Sequence, residues 1–171
     1  MDHLVLTVIA EDQPGLVERI AACVADHGGN WLESRMARMA GQFAGILRVD
    51  VPADSHQALV AALNDLQYQG IRVLLAGGGE AAPAALAIHL SLVGNDRPGI
   101  VREITGLLAG QGVNLESLET EVAPAPMTGE PLFHAEARLA VPPGLALEAL
   151  QARLETLADD LMVELQLQSQ A

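Results

Sequence analysis

A short string that occurs twice governs the architecture. Asp12-Gln13-Pro14-Gly15-Leu16-Val17 returns as Asp96-Arg97-Pro98-Gly99-Ile100-Val101, at an offset of 84. The offset persists through Ile20/Ile104, Ala25/Ala109, Gly28/Gly112 and Asn30/Asn114. Of the 19 positions from 12 to 30, 8 are identical, where ordinary composition would produce roughly one or two. Farther on the offset becomes 90, in Phe43/Phe133, Val51/Val141, Pro52/Pro142, Val73/Val163 and Leu75/Leu165. The six extra residues fall in the Pro-rich run 123–131, a loop-like insertion in the second copy. A repeat of this period means two similar units in series. The expected division is a first domain 1–77, a flexible glycine-rich linker 78–86 and a second domain 87–171.

Each copy reads strand–helix–strand–strand–helix–strand. Leu4 to Ala10 and Ile88 to Leu92 are short apolar or alternating runs. Val17, Ile20, Ala21 and Val24 recur at helical spacing, as do Val101, Ile104, Leu107 and Leu108. Pro14 and Pro98 suit the first helical position, where a missing N–H costs nothing. Gly28 and Gly112 suit left-handed helix stops. Strands are expected near 30–39 and 113–122, then alternating ones from Phe43 to Val51 and Phe133 to Val141. Second helices follow at Leu59, Leu63, Leu66 and at Leu147, Leu150, Leu154, Leu157, with closing strands Ile71–Leu75 and Leu161–Leu167. This order is the ferredoxin-like βαββαβ unit, an α+β arrangement with both helices on one face of a four-stranded antiparallel sheet. The other face is left either to water or to a partner, and pairing of the two copies is one way to cover it.

Composition narrows the function classes. All nine basic residues are arginine, against 22 acidic ones, for a formal charge of −13. That field repels phosphate, and four aromatics (Trp31, Phe43, Tyr68, Phe133) are few for base stacking, so direct nucleic-acid binding is not expected. Cys23 is the single cysteine, which excludes an internal disulfide and any multi-cysteine metal site. No run approaches the roughly 18 apolar residues of a spanning helix. The Met1-Asp2-His3 start lacks the basic-then-apolar order of a signal peptide. The expectation is a soluble, cytoplasmic protein with no membrane partner.

The two Asp-x-Pro-Gly turns carry the chemistry. Each sits between first strand and first helix, where unpaired helix N–H groups receive an anion and glycine admits a ligand to the backbone. Asn30 and Asn114, entering the second strands, can both donate and accept, which suits neighbouring carboxylate and ammonium groups. The plainer alternative is that Asp12 and Asp96 cap the turns while Gly15 and Gly99 permit tight packing. The turns, together with Gly28-Gly29-Asn30-Trp31 and Gly112-Val113-Asn114-Leu115, resemble the ACT domains, small-molecule-sensing modules of this fold. The resemblance implies two tandem ACT domains packed as a pseudo-dimer. A tandem pair with Asn30-Trp31-Leu32-Glu33-Ser34-Arg35 and a short turn at Ala40-Gly41 is similar to the glycine cleavage system transcriptional repressor group.

Carried over by position, that resemblance implies ligand contacts at Asp12, Gln13, Pro14, Gly15, Leu16, Asn30 and Trp31. In the second copy it implies them at Asp96, Arg97, Pro98, Gly99, Ile100, Asn114 and Leu115. In ACT pairs the loop of one unit faces the second strand of its neighbour. The implied effector is a small amino acid, with glycine the candidate. The implied partner is a DNA-binding transcription factor or a metabolic enzyme, and a homo-oligomer is expected. No catalytic residue, metal or cofactor is expected. A different class, a small acylphosphatase-like enzyme, would rely on an arginine such as Arg97 or Arg138. His89, Ser91, Glu119, Glu121, His134, Glu136 and Arg138 are expected on the sheet face away from the helices, read as a solvated face rather than a metal or acid–base site. Cys23 is read as a small core residue, and Trp31 as filling the contact between copies or lining the pocket.

Overall fold

The computed structural model describes residues 1–79 and 85–169, in two compact units, Met1–Ala81 and Ala82–Ala171. Residues 80–84 of the expected linker and the last two residues of the expected second domain lie outside the described residues.

The first unit runs β1 (Asp2–Glu11), α1 (Leu16–Asp26), β2 (Asn30–Met39), β3 (Gln42–Val51), α2 (His56–Asp65) and β4 (Arg72–Gly77). The second runs β5 (Leu86–Asn95), α3 (Ile100–Gly110), β6 (Asn114–Pro124), β7 (Pro131–Val141), α4 (Leu147–Leu161) and β8 (Val163–Ser169). The sheet orders are β2-β3-β1-β4 and β6-β7-β5-β8, antiparallel throughout. Both units are ferredoxin-like α+β folds.

Alternation along each strand decides what is buried. Leu4, Leu6 and Val8 of β1 face the helices with Leu47, Val49 and Val51 of β3, and α1 adds Leu16, Ile20 and Val24. The same positions in the second unit are Ile88, Leu90 and Leu92, then Ala137, Leu139 and Val141, with Ile100, Ile104 and Leu108. Each fully buried leucine or isoleucine contributes about 1.5–3 kcal/mol. No polar or charged residue is buried among the described residues. Among them, too, no helix is long and apolar enough to cross a membrane.

Helix ends repeat as faithfully as the cores. The N–H of Gly28 bonds Ala25 O at 2.9 Å and that of Gly29 bonds Val24 O at 2.9 Å. Gly112 and Val113 bond Ala109 O and Leu108 O, each at 3.0 Å. Gly28 and Gly112 both have φ of 72°, so each helix closes in a Schellman motif. β2 and β6 also share a bulge, between Trp31 and Glu33 and between Leu115 and Ser117.

Three details depart from the periodicity-based expectation. Pro14 and Pro98 are not the first helical residues: the helices begin at Leu16 and Ile100, and Gly15 and Gly99 are their N-caps, with φ of 87° and 95°. The chain needs a left-handed residue to swing from strand into helix, and proline cannot adopt it. The offset of 90 does not reach the last strand. Ile9 pairs with Arg72 and Val93 with Glu164, so Val73 corresponds to Leu165 and the offset is 92. One of the two added residues lies before the helix, in 142–146 against 52–55; the other lies in the helix, where α2 gives way to a 3₁₀ stretch, Leu66–Gln69, which rises faster per residue than the continuous α4. Finally, the 123–131 insertion is not all loop. Ala123 and Pro124 extend β6 against Leu132 and Pro131, whereas Ala40 and Gly41 alone join β2 to β3, both at positive φ as a two-residue hairpin turn requires.

Candidate functional site

The Asp-x-Pro-Gly turns are built alike. The N–H of Asp12 donates to Gly41 O and the N–H of Asp96 to Pro131 O, each at 3.0 Å, which ties the turn to the tip of the neighbouring hairpin. Neither α1 nor α3 receives a side-chain cap, so Asp12 and Asp96 do not cap these helices and their first N–H groups are left for other partners. Close packing does not explain the glycines either, because a Cβ at Gly15 or Gly99 would meet nothing within 4 Å. Backbone conformation alone requires them, and the space before both is open.

Around these shared features the charges differ. Arg38 Nη1 lies 3.5 Å from Asp12 Oδ2; the register partner of Phe133 at the corresponding place in the second unit is Val122, and Asp96 makes no ion pair among the described residues. Beside the first turn an open cleft of about 440 Å³ is lined by Gln13, Gln42, Gln69 and Arg72, and also by the carboxylate of Glu11. The guanidinium and the three amides there are carboxylate donors. At the position of Arg72 the second unit has Glu164, and its turn carries Arg97 in place of Gln13.

Asn30 and Asn114 are exposed at the start of β2 and β6. Within a unit they are not near the turns. Asn30 pairs with Asp50, itself opposite His3, while Gln42 at the other end of β3 pairs with Glu11. Eight strand positions separate the two ends, about 26 Å. Trp31 is partly buried against the core of its own unit, with Met36, Phe43 and Cys23; Leu115 packs likewise in the second. Burial, then Asp26, raises the Cys23 thiol pKa, which leaves it protonated and unreactive near neutrality. The Asp12–Arg38 pair and the cleft at Arg72 had no signal in the sequence beyond arginines on an acidic chain.

The helix-free face of the second sheet holds the polar group expected there. Ser91 Oγ donates to Glu136 Oε2 at 2.7 Å, and His89 Nε2 meets the same carboxylate oxygen. These contacts lower the Glu136 pKa, the Ser91 hydrogen bond most of all. The serine donates to a carboxylate whose pKa is lowered and not to the imidazole, and such a carboxylate is a poor base for activating a hydroxyl nucleophile. Among the described residues no three His, Cys, Asp or Glu side chains are grouped to hold a metal ion.

Each ferredoxin-like sheet thus carries an uncapped, glycine-started helix at one end. Residues 2–73 match one ACT-domain family model and residues 88–155 match another. The chain belongs to the ACT-domain family and consists of two such domains in tandem. Among solved structures it is similar to an unknown protein from Galdieria sulphuraria, 28% identical over 99% of each chain, with a TM-score of 0.88. It is also similar to a "putative glycine cleavage system transcriptional repressor", 20% identical over 99% of this chain and 97% of that one, TM-score 0.73. No curated protein matches the sequence.

Proposed function

We propose that this tandem ACT protein is a non-enzymatic cytoplasmic sensor. It binds a small amino acid, glycine first among them, and alters its hold on a DNA-binding transcription factor, as a regulator of the glycine cleavage type would. The observation that carries this reading is the pair of open helix starts behind Gly15 and Gly99, uncapped in both domains and backed by no packing reason for the glycine. There the effector carboxylate is received by backbone N–H groups next to Asp12, Gln13, Pro14 and Leu16, or Asp96, Arg97, Pro98 and Ile100. A zwitterion a few ångströms long cannot also reach the asparagine of the same domain, about 26 Å away. Asn30 with Trp31, and Asn114 with Leu115, therefore serve a ligand held by the turn of a different ACT module. An effector shared by two modules favours the arrangement that assembles its site, and its leverage equals its difference in affinity between arrangements.

Calorimetric titration with glycine and the other amino acids tests the reading. Saturable binding by one of them is expected, lost in Asn30→Ala or Asn114→Ala and in Gly15→Val or Gly99→Val. Absence of binding by every amino acid would overturn it. Affinity capture from the native host, with and without the bound amino acid, tests the partner: a metabolic enzyme in place of a transcription factor would make the protein a regulatory subunit.

A further inference from the structure

The repeat lets the two helix-free sheet faces be compared position by position. In the first domain Thr7 lies between Ile46 and Leu74, with Val5 and Ile9 one pleat to either side. Ile9, Ile46 and Leu74 are 38%, 50% and 73% exposed. Arg35 stands opposite Ile46 on one edge strand, and Arg72 opposite Ile9 on the other. In the second domain the corresponding centre is Ser91 between Glu136 and Gln166, with Glu119 opposite Glu136 and Glu164 opposite Val93. At both edges an arginine in one domain is thus a glutamate in the other: Arg35 against Glu119, Arg72 against Glu164. None of these four makes an ion pair among the described residues.

We infer that the first domain's sheet face binds the second domain's sheet face of another copy of this chain, Arg35 and Arg72 pairing with that copy's Glu119 and Glu164. Because each charge sits on an edge strand with its counterpart at the matching edges of the other face, stacking opposes arginine to glutamate whichever way the strands run. Ile46 and Leu74 lose their exposure in the contact. Glu136, at the centre of the opposing face, already accepts from Ser91 and His89, so covering it does not strand an unpaired carboxylate. A four-stranded face is about 19 Å wide and about 25 Å along the strands, roughly 480 Å². One such contact falls short of a standard interface, whereas two reciprocal contacts bury roughly 1,900 Å² and reach it. The formal charge of −13 opposes association only weakly at physiological salt, where screening acts beyond about 8 Å and the facing pairs lie closer.

Sedimentation of the full chain at micromolar concentration tests this independently of any effector. The wild-type protein is expected to dimerise. Arg35→Glu with Arg72→Glu, and separately Glu119→Arg with Glu164→Arg, should each weaken self-association by at least about 100-fold through like charges brought face to face. Mixing the two variants should restore a 1:1 dimer, since each then offers what the other lacks. Circular dichroism confirms folding, and Arg35→Ala with Arg72→Ala, which adds no new charge, should weaken dimerisation by about 10-fold. A monomeric wild-type protein, reversals that leave association unchanged, or a mixture that fails to pair would each overturn the inference.

Discussion

The helix-covered sides of β2 and β6 show how two domains of one fold fill the same space differently. In the first domain the inward positions are Trp31, Ser34, Met36 and Arg38; in the second they are Leu115, Leu118, Thr120 and Val122. Trp31 and Met36 pack on their core. In the second domain a crevice of about 20 Å³ opens between α3 and β6, lined by Ile104, Thr105, Leu115 and Leu118 among others. It has room for about one water, but its walls are almost wholly apolar, so it is not a hydrated site. The facing strand follows the same division. A Cβ at Gly45 would come within 2.4 Å of Met36 Cγ and 2.6 Å of Arg35 O, so the glycine makes room for methionine, whereas Ala135 faces the smaller Thr120. Volume is conserved across pairs of residues, not at single positions, which is how a repeat keeps its backbone while its sequence drifts.

The largest break in that comparison is expected from Trp31→Ala, which should destabilise the first domain by about 3 kcal/mol, against about 2 kcal/mol in the second for Leu115→Ala. Amide hydrogen exchange separates the two, since opening is read domain by domain. Gly45→Ala should cost about 2 kcal/mol from overpacking, and part of that should return when Met36→Thr is added, reproducing the second domain's pair. A non-zero coupling in this double-mutant cycle is the quantity to measure; strict additivity would show that Arg35 O, not Met36, sets the limit. Leu115→Trp adds more volume than a crevice of about 20 Å³ can take and should cost about 1–3 kcal/mol, so the first domain's tryptophan is not transferable without its partners.

Much of this was legible in the repeat. Alternation in Phe43–Val51 and helical spacing in Val17–Val24 specify the strand and helix because burial acts at those periods. The Gly28 and Gly112 stops are visible because left-handed helix ends tolerate few other residues. What failed did so for definite reasons. Proline at a helix start has two possible places, and Pro14 takes the one outside the helix because Gly15 must hold the left-handed cap. Val73 and Val163 align by residue type but not by register, because the connection into the second helix and the helix itself, ending in a 3₁₀ stretch, are each one residue shorter in the first unit. Sequence nearness also misleads on distance: Asn30 follows closely on α1, yet β2 begins at the far end of the sheet from the Asp-x-Pro-Gly turn of its own unit. Motif spacing carries no record of which end of a sheet a strand starts from.

The smallest expected effect lies on the outer faces, where Ile46 in one domain corresponds to Glu136 in the other. Glu136 titrates below an ordinary glutamate because its ionised form accepts from Ser91; burial opposes this, and His89 and then His134 add to the lowering. A carboxylate whose folded pKa is depressed stabilises the fold above its unfolded pKa, and that stabilisation is lost as pH falls through the folded value. The second domain should therefore carry a weak acid-side dependence from this position that the first domain, with isoleucine there, cannot have. Carboxyl-carbon NMR titration should show the Glu136 midpoint move up in Ser91→Ala, and further in Ser91→Ala with His89→Ala. Because the group is more than half exposed, the accompanying change in stability should be slight. A midpoint indifferent to Ser91 would mean that solvent, and not the hydroxyl, sets the acidity of this face.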